Sequence, residues 1–254
     1  MNLSITGYGA CMIAGFPLPG EAGFLHEAVR RMQPDGRLKI ALEVISMGGF
    51  PATRASKHFA KKALGPRPDI VVLQFGSTDA SAPLRRGFGV RHFSKNNPHG
   101  RIPPSIAPPK PGDLAKWQIR NLASELILVP PTVPLDEYLE AVLSMTNEAR
   151  AVGSSVVVLS PFIMGGGRSN RFARRYADGL AHQLHRLPDA HYLDAHALLS
   201  GSAPREMLLS DGFHLSARAH EKLGVALAEL LVRVAFERCG RLRENPATKP
   251  APKA

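Results

Sequence analysis

The stretch "DIVVLQFG" (residues 69–76) decides the fold class, because its apolar residues follow one another without alternation. A strand that is apolar at consecutive positions is buried on both faces, which is typical of parallel sheets covered by helices on each side. The stretch "SSVVVLSPF" (residues 154–162) has the same character. We therefore expect both stretches to form buried strands of one parallel sheet.

Strand-like and helix-like stretches alternate on both sides of these two segments. Short apolar runs are followed by longer runs whose apolar residues have helical spacing. This alternation predicts an α/β protein with a mainly parallel sheet sandwiched between helices. The other expected strands are 3–6, 38–46 and the start of 190–199, and the expected helices are 20–33, 54–64, 135–153, 171–187 and 216–237.

One domain is expected to span residues 1–237, and two stretches interrupt or follow the alternation. Residues 80–114 are rich in Pro, Gly, Lys and Arg and are too long for a simple connection. They predict a functional lid or a mobile insertion. Residues 238–254 are rich in Pro, Lys and Ala, which predicts a disordered tail.

The chain is basic, with a formal net charge of +11, and this charge is unevenly distributed. Between Arg85 and Arg120, eight Lys or Arg residues accompany a single acid, Asp113. These basic residues are not interleaved with stacking aromatic residues, and we recognise no nucleic-acid motif, so nucleic acid is not the expected partner. We interpret the basic stretches as solvated loops.

Composition also limits the location of the protein and its cofactors. Hydrophobic residues make up 44% of the chain, and no apolar run reaches the roughly 18 residues of a membrane span. The N-terminus lacks the pattern of a signal peptide, so we expect a cytoplasmic protein. Cys11 and Cys239 are too few for a disulfide framework and lack metal-site spacing, so we expect no metal and no cofactor. The oligomeric state stays open.

Small and polar motifs follow the expected strands at their carboxyl ends, where open α/β sheets bind ligands. In the last motif, Asp211 and His214 are three residues apart in a Gly-containing turn. A carboxylate that orients an imidazole makes a general base, whereas a helix-capping Asp beside an exposed His is the purely structural alternative. The four motifs are "GYGAC" (7–11), "SMGGFPAT" (46–53), "GSTDAS" (76–81) and "SDGFHLS" (210–216).

The order of these motifs resembles that of the SGNH, or GDSL-type, hydrolases. The resemblance extends from about residue 3 to residue 235, and "SDGFHLSARAHEKLG" (210–224) is its strongest part. It implies a flavodoxin-like three-layer α/β/α sandwich. The positions that it assigns are Cys11 as nucleophile and Asp211 and His214 as the acid–base pair. The oxyanion hole that it implies consists of the backbone N–H groups of Cys11 and Gly49 (or Gly48 in another register) and the side chain of Thr78.

Two of these positions depart from the family pattern. Cys11 stands where the family usually has Ser, and a thiol paired with a His is a competent nucleophile. Thr78 stands where the family usually has Asn, and losing one oxyanion donor typically costs on the order of 10²–10³ in rate. The neighbouring residues Gly76, Ser77 and Asp79 are candidates for supporting this loop, although Asp79 is equally an ordinary turn acid.

The leading hypothesis is therefore an acyl hydrolase or acyltransferase that uses Cys11 on an ester or thioester. Its substrate would be a small molecule or an acyl carrier. The alternative is a catalytically inactive binding protein of the same fold that recognises an acylated or anionic ligand.

Overall fold

The computed structural model describes most of the expected domain. It covers residues 2–18, 20–33, 38–81, 119, 122, 130–165, 167–209 and 212–244, with the backbone alone for 241–244. Asp211, nearly all of the expected insertion at 80–114 and the chain from residue 245 onward lie outside the described residues.

Five parallel strands form one sheet, in the order β2-β1-β3-β4-β5. This order is that of flavodoxin-like doubly wound proteins, in which the chain starts near the middle of the sheet and winds outward in both directions. The strands are β1 (Asn2–Gly9), β2 (Lys39–Ser46), β3 (Ile70–Gln74), β4 (Ser155–Leu159) and β5 (Ala190–Leu193).

Helices cover both faces of the sheet, which confirms the predicted three-layer sandwich. In β3, Ile70 and Val72 pack on the side of α1 and α7, whereas Val71 and Leu73 pack on the side of α2, α3 and α4. Every residue of β3 and β4 is buried, as the uninterrupted apolar runs predict. The helices are α1 (Phe24–Met32), α2 (Ala52–Ala63), α3 (Leu135–Ala151), α4 (Gly167–Leu184), α5 (Ala195–Ser200), α6 (Pro204–Met207) and α7 (Ala217–Glu244), with a 3₁₀ turn, η1, at Cys11–Ala14.

Several element boundaries differ from the sequence prediction by a few residues, whereas β5 forms at the start of 190–199 as expected. The strand expected from residue 190 ends at Leu193, because the side chain of Asp194 accepts the N–H of Ala197 and starts α5. The last helix continues to Glu244, beyond the end at residue 237 that the sequence predicts for it.

Arg238 gives the physical reason for the longer helix. Its guanidinium donates to the carbonyl of Gly153 and lies 3.2 Å from the carboxylate of Asp69. That carboxylate also accepts the backbone N–H and the hydroxyl of Ser4, at 2.9 and 2.8 Å. The end of α7 is therefore attached to the amino ends of β1 and β3.

We expect Arg238→Ala to lower the free energy of unfolding by about 1–3 kcal/mol, because it removes charge-assisted hydrogen bonds from a side chain that is only 14% exposed. The matched control is Arg233→Ala on the same helix, whose side chain is 66% exposed and which should change this free energy by less than about 0.5 kcal/mol. Urea unfolding measures both. Equal effects of the two substitutions would contradict this role of Arg238.

Candidate active site

Cys11 lies at the carboxyl edge of the sheet, at the start of the turn that follows β1. The N–H of Ala10 donates to the carbonyl of Gln74 (2.9 Å), and the N–H of Met47 donates to the carbonyl of Gly9 (2.7 Å). These bonds join the ends of β1, β2 and β3. They hold Cys11 near the centre of the edge where ligands bind in this class of sheet.

Steric crowding explains why residue 9 is a glycine. A Cβ atom on Gly9 would lie 2.5 Å from the carbonyl oxygen of Gln74, closer than real Cβ contacts allow. A larger residue would therefore separate β1 from β3 just before Cys11. The Gly-rich sequence around the cysteine thus serves the close approach of the two central strands.

His214 faces Cys11 from the other end of the chain. The Sγ atom of Cys11 and the Nε2 atom of His214 are 3.6 Å apart, within hydrogen-bonding distance for sulfur, although the two residues are 203 positions apart in sequence. The imidazole also has edge-to-face contacts with Phe16 (4.8 Å between ring centroids) and Phe213 (5.2 Å). A thiol that touches an imidazole in this way is the arrangement of a nucleophile with its general base.

The loop that carries His214 is fixed by backbone hydrogen bonds. The N–H of Leu209 donates to the carbonyl of His214 (2.8 Å), which closes the turn before α7. The carbonyl of Gly212 accepts the N–H of Gly165 (2.8 Å) in the loop after β4. The predicted partner of His214, Asp211, lies outside the described residues, so the acid–base pair stays a prediction.

The side chain of Asn170 holds the loop after β4 in place. Its Oδ1 atom accepts the N–H of Met164 (3.0 Å) and lies 3.1 Å from Nε2 of the buried His196. Burial lowers the pKa of His196, which keeps the ring neutral and able to donate from Nε2. No local motif predicts this role of Asn170, because its partners are distant in sequence.

The turn after β2 lies beside the thiol. The N–H of Phe50 donates to the carbonyl of Met47 (2.9 Å), and Gly49 has a φ of +73°, which favours glycine. A Cβ atom placed on Gly48 would lie 3.7 Å from the Cβ of Cys11. The turn is closed by the N–H of Phe50, and the N–H groups of Gly48 and Gly49 have no acceptor among the residues that the structure describes.

Asp79 organises the loop after β3. Its buried carboxylate accepts the N–H of Ala52 at the start of α2 (2.8 Å) and the N–H of Gly76 (3.1 Å). Burial raises the pKa of Asp79 to about 6 from an ordinary 3.8. The hydroxyl of Ser77 accepts the N–H of Phe162 (3.3 Å), which joins this loop to the one after β4.

Thr78 occupies the middle of the same loop and is half-buried. Its carbonyl accepts the hydroxyl of Ser81 (2.7 Å), so the backbone of Thr78 is fixed within the loop.

His220, on the first turn of α7, is a buried titratable group that the sequence analysis missed. It is 1% exposed, and its Nδ1 atom accepts the N–H of Phe24 (3.2 Å). The proton therefore sits on Nε2, which finds no hydrogen-bond partner within the part of the chain that the structure describes. Burial, and then the nearby His214, lower the pKa of His220 to about 4, so this ring is neutral at neutral pH.

Metal binding and membrane insertion find no structural support in the described ranges. No group of three or more His, Cys, Asp or Glu side chains there is placed to hold a metal ion. No helix among these residues has the length and apolarity needed to cross a bilayer.

Comparison with known proteins identifies the fold. No family model and no curated protein matches the sequence. Among solved structures, a lipase/acylhydrolase from Enterococcus faecalis is 17% identical with a TM-score of 0.62, and the match covers 90% of this chain and 95% of that one. A catalytic mutant of the acetylxylan esterase Axe2 from Geobacillus stearothermophilus is 16% identical with a TM-score of 0.59, over 89% of this chain and 93% of that one.

A third solved structure matches over a similar share of the chain. It is a lipolytic protein of the G-D-S-L family from Desulfitobacterium hafniense, 13% identical with a TM-score of 0.58, and the match covers 89% of this chain and 98% of that one. At these identities the matches establish a shared fold. The chain has the α/β/α fold of these esterases and lipolytic proteins.

The pKa of His220 leads to a prediction about stability and pH. Because folding lowers this pKa from 6.5 to about 4, the contribution of His220 to stability is complete above pH 6.5 and is lost as the pH falls toward 4. The free-energy difference in unfolding between wild type and His220→Gln should therefore shrink by roughly 3 kcal/mol between pH 6.5 and 4. Chemical denaturation at a series of pH values measures this difference.

The difference between variant and wild type is needed because Asp79 has the opposite effect. The pKa of Asp79 is raised on folding, so its contribution is complete below pH 3.8 and is lost as the pH rises toward 6. A difference for His220→Gln that stays constant between pH 6.5 and 4 would show that this ring titrates normally in the folded protein.

Proposed function

We propose that this protein is an acyl hydrolase in which Cys11 attacks an ester or thioester carbonyl and His214 acts as general base. The observation that carries the proposal is the 3.6 Å contact between Sγ of Cys11 and Nε2 of His214. The fold shared with esterases, and the place of both residues at the carboxyl edge of the sheet, support it.

The chemistry follows from this pair. Nε2 of His214 takes the thiol proton while Sγ bonds to the carbonyl carbon, and the C=O π electrons move to oxygen. When the oxyanion collapses, the bond to the leaving group breaks, and the leaving group takes the proton from the imidazolium. The acyl group is then a thioester on Cys11. A water molecule, deprotonated by His214, attacks this thioester and releases the acid and the thiol.

The oxyanion would be stabilised by backbone N–H groups at the sheet edge. The N–H of Cys11 and the N–H groups of Gly48 and Gly49 would be these donors, and a Cβ atom placed on Gly48 would lie 3.7 Å from the Cβ of Cys11. The hydroxyl of Thr78 would donate a further hydrogen bond to the oxyanion. Asp211 would orient His214 through the second ring nitrogen.

Hydrolysis and acyl transfer share the thioester and differ only in the acceptor, so an alcohol or amine in place of water would make the same site an acyltransferase. The acyl donor would be a small molecule or an acyl carrier. Cys11 is a free thiol. This fits a catalytic cysteine in the reducing cytoplasm. A binding protein without turnover is the less favoured alternative, because binding has no need of a thiol in contact with an imidazole.

We expect Cys11→Ala and His214→Ala each to reduce hydrolysis of p-nitrophenyl acetate to the uncatalysed rate, because each removes one member of the nucleophile–base pair. Asp211→Asn should lower kcat while leaving a measurable rate. Cys239→Ala is the matched control and should keep wild-type activity. Undiminished turnover in either of the two alanine variants would rule out the proposed roles.

Substitution of Thr78 tests the oxyanion assignment. Thr78→Asn should raise kcat by up to about 10²-fold, because a side-chain amide donates a more directed hydrogen bond than a rotating hydroxyl. Thr78→Val, which has the same shape without the hydroxyl, should lower kcat. Steady-state rates with the same ester measure both. If neither substitution changes kcat, Thr78 does not face the oxyanion.

A further inference from the structure

Arg54, on the first turn of α2, stacks on an aromatic ring that belongs to the turn after β2. Its Cζ atom lies 3.9 Å from the centroid of the Phe50 ring. Phe50 closes this turn, and a Cβ atom placed on Gly48 in the same turn would lie 3.7 Å from the Cβ of Cys11. Gly48 and Phe50 are two residues apart, so their Cα atoms are separated by at most about 7 Å.

The guanidinium of Arg54 has no anionic partner in the described part of the chain. It is exposed, and its interaction there is the stacking on Phe50 alone, without ion pair or side-chain hydrogen bond. Other arginines of the fold do have such partners. Arg174 lies 2.6 Å from the carboxylate of Asp178, and Arg238 lies 3.2 Å from that of Asp69.

Stacking prepares this group to bind an anion. A guanidinium that lies over a ring keeps its five N–H donors in the plane, pointing away from the stacked face. The donor fork matches the two oxygens of a carboxylate or a phosphate, and the ring limits the rotamers that would otherwise be lost on binding. Arg54 is therefore a preorganised cation whose donors have no acceptor among the described residues.

The charges around Arg54 favour the same class of ligand. The sequence of α2, ATRASKHFAKKA, contains no acidic residue, so no carboxylate on this helix competes for the guanidinium. The nearby acid Asp79 is fully buried, and its two oxygens accept the N–H groups of Ala52 and Gly76. Because Asp79 connects the start of α2 to the loop after β3, it also fixes the helix that carries Arg54 relative to the site.

We infer that Arg54 binds a carboxylate or phosphate of the substrate, so that the site prefers anionic esters or thioesters. This inference rests on the proposed function for the identity of the reaction. It adds a specificity-determining residue and a substrate class, with the anionic group several bonds from the reacting carbonyl.

A first experiment detects the anion preference without requiring turnover. Cys11 is alkylated with anionic iodoacetate and with neutral iodoacetamide at low salt, and mass spectrometry separates its modification from that of Cys239. Arg54→Gln should lower the ratio of the iodoacetate rate to the iodoacetamide rate several-fold, because it removes a positive charge near the sulfur. Lys61→Gln, which removes the same charge from an exposed position two turns further along α2, should leave the ratio unchanged.

A second experiment locates the anionic group within the substrate. The p-nitrophenyl monoester of adipic acid is compared with its neutral methyl ester, which places the charge on the acyl side. The acetate ester of 4-hydroxybenzoate is compared with its methyl ester, which places the charge on the leaving group. In one of the two pairs, Arg54→Gln should reduce the preference in kcat/KM for the anionic member by about 10-fold, the effect of one charge-assisted hydrogen bond. Lys61→Gln should not, and Arg54→Lys should restore only part of it.

The outcomes separate this inference from the proposed function. If Arg54→Gln leaves the alkylation ratio and both ester preferences at wild-type values, the inference is wrong even though esters are hydrolysed. If no ester is hydrolysed but the alkylation ratio falls in Arg54→Gln alone, the anion site stands and the proposed hydrolase does not.

Discussion

The contact between the thiol of Cys11 and the imidazole of His214 is the interaction on which the rest of the site depends. The two residues are 203 positions apart, and only the strand order of the sheet brings them together. β1 is next to the central strand β3, so the turn after β1 opens at the middle of the sheet edge. The last helix returns to the same face as that turn, and the loop before it carries His214 to the sulfur.

Several hydrogen bonds hold this contact in place from three directions. The ends of β1, β2 and β3 are joined through Ala10 and Met47, which fixes the position of Cys11. The bond between Gly165 and Gly212 fixes the loop of His214, and Asn170 fixes the loop of Gly165 in turn. A nucleophile and a base held by backbone atoms lose little conformational freedom when a substrate binds, which is how preorganisation contributes to rate.

Burial determines the protonation state of the titratable ring beside the Cys11–His214 pair. His220 lies near His214 and is kept neutral because burial lowers its pKa to about 4. In the proposed mechanism, a charged His220 would repel the imidazolium that forms on His214, so the neutral ring would leave the base free to accept a proton. Under the further inference, Arg54 would add a positive charge that binds the anionic group of the substrate.

The sequence was sufficient for those features that local pattern determines. The continuous apolar runs at 69–76 and 154–162 predict the buried strands β3 and β4, and the alternation around them predicts the sandwich. Cys11 and His214 could be proposed from a motif order, and the structure brings them into contact. The roles of Asn170 and His220 could not be predicted, because each depends on burial and on partners that are distant in sequence. The end of α7 was missed for the same reason, since Arg238 is anchored by Asp69.

The most direct test of the central claim is intact-mass spectrometry within the first turnovers after mixing with p-nitrophenyl acetate. The account predicts a transient gain of one acetyl group on Cys11, which is absent in Cys11→Ala and present in Cys239→Ala. Hydrolysis of the ester without any adduct on Cys11, or an adduct that persists in Cys11→Ala, would contradict a thioester intermediate at this residue.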